Sequence, residues 1–251
     1  MKKYIALLLS ALMVLCLFAG CGTQESETSE PPAAESADPV ETAGAGETEG
    51  GYKFGLTTMG EASFWDAVEE GVLNVMNEGD ELIFVEGEHG NAAGQVDIIE
   101  DFIAQGCDLV FFNPVDADAA TSCLNLLEEA GIPVINFDSA CTDMSTVETF
   151  CATDNYAAGA LAACSAITGA GADVDLYSVN GGPEAKAKML ADGEEGVWRA
   201  TSAQQPIKMG ETICELAYQY LAGEELESEY LIDAFIISPA NIEEYAGRDW
   251  Q

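Results

Sequence analysis

The residue types that usually perform catalysis are few in this sequence. His89 is the only histidine, and no serine or cysteine stands in the context expected of an activated nucleophile. No phosphate-binding loop or dinucleotide fingerprint follows the first predicted strand, because Gly55 and Gly60 lack a third glycine. Acidic pairs such as Glu69-Glu70 fall on helix faces, where they are solvated rather than tuned as general acids and bases. These features argue against an enzyme and leave ligand binding as the chemistry to locate.

The eight cysteines are spread along the chain without a C-x-x-C motif or any other metal-ligand spacing. Most of them fall on predicted strands or apolar helix faces, which indicates small buried hydrophobic residues. A disulfide between some pair is the alternative outside the cell. No loop of alternating acids of the calcium-binding kind is visible, so we expect no metal and no cofactor.

The balance of charge excludes one large class of partners. The 251 residues carry a formal net charge of -37, with 8 basic and 45 acidic side chains. Nucleic-acid binding needs clustered basic residues that release counterions from phosphate, and docking on anionic lipid needs them too. The hydrophobic fraction of 48% is nevertheless high enough to build a core, so the acids must lie mostly on solvated surface.

From residue 52 onwards, short apolar runs alternate with amphipathic helical patterns. Runs rich in β-branched and aromatic residues predict buried strands at 53–56, 82–85, 109–112 and 134–137. The patterns between them predict helices at 63–77, 92–105 and 117–130. Such repeats form right-handed βαβ units, which predicts an α/β fold with a doubly wound parallel sheet. A sheet of this kind binds ligands beyond the carboxyl ends of its strands, here residues 57–64, 86–90, 113–116 and 138–141.

Six motifs between residue 52 and about residue 210 carry a family resemblance. They are GLTTMGEASFWDAVEEGV, QVDIIEDFIAQGCDLVFFNPVDADA, AGIPVINFDS, ATDNYAAG, LYSVNGGPEA and ATSAQQP. In these motifs the chain resembles the sugar-binding proteins of bacterial ABC importers, of the ribose-binding type, which have the type I periplasmic-binding-protein fold. The resemblance implies two similar α/β domains that close on a sugar by hinge motion, and an ABC permease in the membrane as partner.

The resemblance also implies which residues of the first domain bind the sugar. Phe64 and Trp65 match two aromatic residues that stack on the apolar face of the sugar. For Trp65 the alternative is a place in the core, since it lies near the apolar stripe of Val68 and Val72. Asp138 matches a carboxylate that accepts protons from sugar hydroxyls, with a solvated turn residue as the alternative.

Four further residues complete the set of candidates. Asn113 and Asp116 belong to the NPVD turn, where such residues more often form the turn than bind a ligand directly. In the second domain, Asn180 stands where the family commonly has aspartate, and Gln204 matches a glutamine of a hinge strand that reaches the sugar. We therefore expect these seven residues to line a sugar site.

Two departures from the family pattern bear on the identity of the sugar. Ser139 stands where ribose binders often have arginine, and Ala62 stands where they often have asparagine. Two polar contacts to the ligand are therefore absent. A pentose, hexose or polyol other than ribose is the expected ligand.

The first residues predict an export signal. Residues 1–20 combine two lysines, an apolar run and small residues before Cys21, which is typical of a signal peptide and resembles the bacterial lipoprotein type. In that type Cys21 carries the lipid, and an uncleaved membrane helix is the alternative. Residues 21–51 are acidic, lack basic residues and predict a disordered linker. We therefore expect an extracytoplasmic protein anchored by lipid to the cell membrane.

The second domain looks incomplete by comparison with the family. The first domain is predicted at 52–145 with a return segment at about 207–240, the second at 146–206, and a tail at 241–251. In the second domain we predict strands at 147–151, 174–179 and 198–203, with helices near 156–167 and 183–192. In the family, three βα units separate the ATDNYAAG motif from the LYSVN strand, whereas here the two are nearly adjacent. We therefore predict an internal deletion that leaves a remnant with impaired sugar affinity, or else a shortened domain that repacks on the first.

Two functions remain open at this level. One is a receptor, monomeric and without enzymatic activity, that captures a sugar for an ABC importer. The other is a sugar-sensing module that docks on a chemoreceptor or a sensor kinase. The fold serves both functions, so the sequence does not separate them.

Overall fold

The computed structural model describes residues 51–168 and 175–251. The predicted signal peptide, Cys21 and all but the last residue of the predicted linker lie outside the described residues. The strands of the described chain are β1 (Lys53–Thr58), β2 (Glu81–Glu86), β3 (Leu109–Phe112), β4 (Val134–Phe137), β5 (Thr149–Thr153), β6 (Leu176–Asn180), β7 (Trp198–Ala203), β8 (Glu229–Ile232) and β9 (Phe235–Ile237). Its α-helices are α1 (Ser63–Val75), α2 (Ala92–Gln105), α3 (Ala120–Ala130), α4 (Asn155–Thr168), α5 (Pro183–Asp192) and α6 (Pro206–Leu221). None of the helices in these two ranges is both long and apolar enough to cross a membrane.

Six of the strands form one parallel sheet in the order β2-β1-β3-β4-β5-β8. Successive residues of β3 belong to hydrophobic cores on opposite faces of the sheet, because side chains alternate across a strand. Leu109 and Phe111 pack with α1 and α6, whereas Val110 and Phe112 pack with α2 and α3. Helices therefore cover both faces of the sheet, and the predicted doubly wound α/β fold is confirmed.

The assignment of strand β5 to the second domain is corrected by the structure. β5 pairs in parallel with β4, with Ile135 opposite Thr149, and with β8 on its other side. Residues 138–148 connect the two strands without a helix, and the chain returns parallel to β4 and beside it. The large lobe thus consists of the six-stranded sheet with α1, α2, α3 and α6.

A second, smaller sheet has the order β6-β7-β9. β6 and β7 are parallel, and β9 is antiparallel to β7, with Thr201 opposite Ile237. Helices α4 and α5 pack on this sheet and complete the small lobe. Its core is formed by the buried side chains of Ala185, Met189, Ala203, Ile237 and Ile242. The predicted return segment is therefore divided, because α6 and β8 lie in the large lobe whereas β9 lies in the small one.

Within residues 51–168 and 175–251 the chain crosses between the lobes three times, and hydrogen bonds join the crossings. The first crossing is joined to the third by the bond from the Asp154 amide to the Ile232 carbonyl, at 2.9 Å. The second is joined to the third by the bond from Gln205 Nε2 to the Asp233 carbonyl, at 2.8 Å. This shared joint fixes where the strand ends of the two lobes meet.

Helices α1 and α6 approach each other unusually closely on one face of the large sheet. A Cβ added to Gly71 of α1 would lie 2.0 Å from the Ile207 carbonyl oxygen of α6. A Cβ added to Gly210 of α6 would lie 1.9 Å from the Val68 carbonyl oxygen of α1. The absence of a side chain at both positions therefore sets the distance between the helices, and with it the position of the first turn of α1.

Candidate ligand-binding site

The aromatic pair at the start of α1 is mostly buried. Trp65 is 6% exposed and meets Phe137 of β4 edge to face, with ring centroids 6.1 Å apart. Phe64 is 9% exposed and lies edge to face with Trp65 at 4.8 Å and with Trp250 at 5.3 Å. Both rings belong to the core of the large lobe. Trp65 therefore takes the alternative place in the core, whereas Phe64 is covered by a residue from the far end of the sequence.

Asp138 follows β4 and is held in an uncommon backbone conformation. Its φ is 59°, in the left-handed region, and its amide donates to the Cys151 carbonyl at 2.9 Å. Burial raises the pKa of its carboxyl group, and hydrogen bonds from the Ser139 and Asn113 side chains oppose that shift in part. The Ser139 hydroxyl donates to Oδ2 at 3.1 Å. Asp138 is thus a half-buried hydrogen-bond acceptor at the carboxyl end of the sheet.

The side chain of Asn113 makes two hydrogen bonds to the main chain in addition to its contact with Asp138. It is fully buried, donates from Nδ2 to the Phe137 carbonyl at 3.1 Å and accepts at Oδ1 from the Met59 amide at 2.9 Å. The Gln95 side chain also donates to the Asn113 carbonyl, at 2.9 Å. Asn113 therefore joins the ends of β1, β3 and β4.

Asp116 lies on the surface, in the turn before α3. Its Oδ1 accepts from the amides of Asp118 at 3.0 Å and Ala119 at 2.8 Å. These bonds are those of an aspartate that organises a turn. In this structure Asp116 thus serves the turn, which was the alternative given by its position in the NPVD motif.

The two candidates of the small lobe lie at the carboxyl ends of adjacent strands. Asn180 ends β6 with a φ of 95° and an exposed side chain, and its carbonyl accepts from the Gln204 amide at 3.0 Å. Gln204 follows β7 at the second crossing, is buried, and donates from Nε2 to Asn155 Oδ1 at 3.2 Å. The structure therefore brings these two candidates together at the joint between the lobes.

Residues 249–251, which the sequence analysis treated as tail, lie against both lobes. The Trp250 indole donates to the Ser63 hydroxyl of α1 at 3.3 Å. Gln251 Nε2 donates to the Gln204 carbonyl at 2.9 Å, and Lys186 Nζ of α5 donates to the Asp249 carbonyl at 2.9 Å. The one signal in the sequence is a lone tryptophan in an otherwise polar stretch, GRDWQ.

Two cavities include Trp250 in their lining. The smaller has a volume of about 360 Å³ and includes Ser63, Asn180, Glu184, Trp198 and Trp250 in its lining. The larger has a volume of about 770 Å³ and includes Ser63, Asp66, Glu70, Lys208, Arg248 and Trp250. Hydroxyl, amide, carboxylate and indole groups line the smaller one, a combination that suits a small polyhydroxylated ligand.

Metal-binding and thiol chemistry receive no support from the described residues. Within 51–168 and 175–251, no three His, Cys, Asp or Glu side chains are grouped so that they could hold a metal ion. Cys107, Cys123, Cys141, Cys151 and Cys214 are buried free thiols, and Cys164 lies where side chains are not described. Burial raises the pKa of the Cys141 thiol to about 12, so it stays protonated near neutral pH.

The family of the chain follows from its sequence. Residues 53–187 match the family described as periplasmic binding protein domain. The chain belongs to this family. The matched residues run from β1 into α5, and they include Phe64, Asp138 and Asn180 but not Gln204 or Trp250.

Individual relatives agree with this placement. The ribose import binding protein of Bacillus subtilis is 27% identical over 125 residues, which cover 49% of this chain and 40% of that protein. An ABC transporter solute-binding protein from Mycobacterium smegmatis with bound glycerol has a TM-score of 0.69 at 18% identity, over 79% of this chain and 98% of that one. One from Agrobacterium vitis bound with alpha-D-tagatopyranose has a TM-score of 0.64 at 16% identity, over 79% of this chain and 99% of that one. At such identities the solved structures establish likeness of fold, and the match to the curated relative spans less than half of its length.

Proposed function

We propose that the chain is the extracytoplasmic sugar-binding protein of an ABC importer and has no enzymatic activity. One observation carries this proposal: Asp138 follows β4 at the carboxyl end of the large sheet, while Asn180 ends β6 and meets Gln204 where β7 crosses to the large lobe. Ligands of open α/β sheets bind at such strand ends, and closure of two lobes about a joint surrounds a ligand with contacts from both. Capture by closure needs no catalytic group.

The ligand is a pentose, hexose or polyol. The solved structures of similar fold include solute-binding proteins with bound tagatose, myo-inositol, D-fucose and D-arabinose. In this chain, Asp138 accepts from two sugar hydroxyls, Phe64 stacks on the apolar face of the ring, and Asn180 and Gln204 add polar contacts from the small lobe. Trp65, Asn113 and Asp116 hold this constellation in place.

The affinity for the sugar is weaker than two full lobes would give. The small sheet has three strands against six in the large one, and β6 has a partner on one side only among the described strands. Its Leu176 and Val179 side chains are each 41% exposed. These features fit an internal deletion of βα units between ATDNYAAG and LYSVN, which removes contacts that closure would otherwise add.

The protein works outside the cytoplasm and passes its sugar to a membrane permease. Residues 1–20 direct export, Cys21 carries the lipid anchor, and residues 21–51 form a tether that lifts the lobes off the membrane. In this proposal the chain acts as a monomer.

The test is a thermal melt of the full chain with a panel of pentoses, hexoses and polyols. A ligand at 100 times its dissociation constant adds about 2.7 kcal/mol, which raises the Tm by several degrees. We expect one sugar class to give a saturable shift that Asp138→Asn abolishes. The matched control is Asp97→Asn on an exposed position of α2, which removes the same charge and keeps the shift. A panel without any saturable shift, in the wild-type chain and in the Trp250→Ala variant described below, would refute the function.

A further inference from the structure

Segment 249–251 connects the two lobes at the place where a sugar would bind. On the large lobe, Trp250 lies edge to face with Phe64 at 5.3 Å and donates to Ser63 at 3.3 Å. On the small lobe, Gln251 Nε2 donates to the Gln204 carbonyl at 2.9 Å. The segment therefore contacts three residues of the candidate site or its margin, from both sides of the joint.

A buried ammonium group on α5 holds the segment. Lys186 is 2% exposed, and its Nζ donates to the Asp249 carbonyl at 2.9 Å and to Gln251 Oε1 at 3.0 Å. Within residues 51–168 and 175–251, no carboxylate lies within ion-pair distance of Lys186. Burial lowers the pKa of its ammonium, and nearby Asp249 opposes the shift. A lysine this buried needs hydrogen-bond acceptors, and segment 249–251 supplies them.

The indole ring of Trp250 occupies space that a ligand of Phe64 would need. Phe64 is left 9% exposed, too little for a sugar ring to lie against its face. Trp250 and Ser63 line both cavities, so the indole borders each of the two volumes. Gly182 on the small-lobe side lets the ring approach, since a Cβ there would lie 3.3 Å from it.

We propose that segment 249–251 is an intramolecular occupant of the sugar site, which Trp250 closes and which a sugar must displace to stack on Phe64. The proposal rests on the proposed function, because it takes Phe64 as the stacking surface for a sugar. Lys186 anchors the segment, and Trp250 competes with the ligand. The apparent affinity for sugar is then lowered by the fraction of molecules in which the segment is bound.

The first test compares sugar affinities of the full chain and its variants by calorimetric titration. Trp250→Ala is expected to bind the sugar about 2- to 12-fold more tightly, the factor to which the energy of one aromatic pair corresponds. Lys186→Met, which removes the anchor and keeps the apolar stem, is expected to act in the same direction. Tyr156→Ala is the matched control, since Tyr156 is an aromatic side chain of the small lobe that is 90% exposed. Equal or weaker binding by Trp250→Ala would overturn the proposal and make Trp250 a wall of the site.

The second test follows the indole itself in a chain labelled with 5-fluorotryptophan. The three tryptophans give three ¹⁹F signals, and Trp→Phe variants assign them. In the free chain we expect the Trp250 signal to report an indole that solvent does not reach. When sugar is added, the signal should report an indole in contact with solvent. A Trp250 indole that stays inaccessible to solvent at saturating sugar would contradict displacement of segment 249–251 by the sugar.

The two tests also separate this proposal from the proposed function. If no sugar binds to the wild-type chain or to Trp250→Ala, the function fails. In that case a Trp250 signal that is exposed in the free chain also overturns the bound segment. A Trp250 indole that is inaccessible to solvent in the free wild-type chain, and accessible in Lys186→Met, supports the bound segment.

Discussion

The close contact of α1 and α6 gives a sharp prediction for Gly71→Ala. The new Cβ would lie 2.0 Å from the Ile207 carbonyl oxygen and 2.8 Å from the Glu211 amide nitrogen. An ordinary contact of this kind is 3.4 Å or longer. Both neighbours are main-chain atoms of a helix, so no rotamer change relieves the clash and the helices must move apart.

The expected loss of stability follows from two opposing terms. Overpacking of a core costs about 1–3 kcal/mol, and the upper end applies because backbone meets backbone. Replacing glycine by alanine inside a helix raises the free energy of unfolding by about 0.5–1 kcal/mol. The free energy of unfolding should therefore fall by about 2 kcal/mol, which lowers the Tm by roughly 4–8 °C for a chain of this size.

The measurement is unfolding by urea and by heat, followed by circular dichroism. Gly159→Ala is the matched control, because Gly159 lies in α4 and a Cβ there would meet nothing within 4 Å. We expect the control to be as stable as the wild-type chain or more so. Gly210→Ala should resemble Gly71→Ala, and the double variant should lose less than the sum, since one separation of the helices serves both.

Two results would refute this reasoning. A Gly71→Ala chain as stable as Gly159→Ala would mean that the helices do not approach at this distance. Full additivity of Gly71→Ala and Gly210→Ala would mean that the two glycines do not share one contact.

Separation of α1 from α6 also displaces the first turn of α1, so sugar binding through Phe64 should weaken along with stability.

Three further substitutions test the residues that support the site. Asp138→Asn should be more stable than the wild-type chain near neutral pH, because burial raises the folded-state pKa of the carboxyl and the ionised group is destabilising above that pKa. The difference in the free energy of unfolding should narrow as the pH is lowered through the raised folded-state pKa towards the ordinary value of 3.8, and a difference that stays constant down to that pH would contradict the cause. Asn113→Ala should lose about 2–5 kcal/mol, since the Met59 amide and the Phe137 carbonyl are each left without a buried partner. Asp116→Ala in the exposed turn should lose about 0.5–2 kcal/mol, and a loss as large as that of Asn113→Ala would show that burial does not set the scale.

The large lobe could be predicted because its signals are local. The runs at 109–112 and 134–137 became β3 and β4, and the pattern at 92–105 became α2 with the predicted bounds. Apolar periodicity over one element is enough to define it, and the handedness of βαβ units then fixes the parallel sheet. The fold class needed no information beyond these repeats.

The position of β5 could not be predicted in the same way. The strand predicted at 147–151 lies at 149–153, and nothing within these residues says which sheet they join. Their partners are Ile135 and Tyr230, and the hydrogen bonds between strands depend on how the whole chain folds back. Resemblance to a family pointed to the second lobe, and the pairing with β4 overrules it.

The candidate site divides along the same line. The sequence by itself determined that Phe64 and Asp138 lie just beyond strand ends, because position relative to an element is a local property. Only the tertiary structure decided that Trp65 packs into the core, that the Asn113 side chain hydrogen-bonds main-chain groups, and that Trp250 covers Phe64. Trp250 and Ser63 are separated by 187 residues, and no periodicity relates positions so distant. Contacts of this range arise from the packing of whole elements, which a pattern within one element does not record.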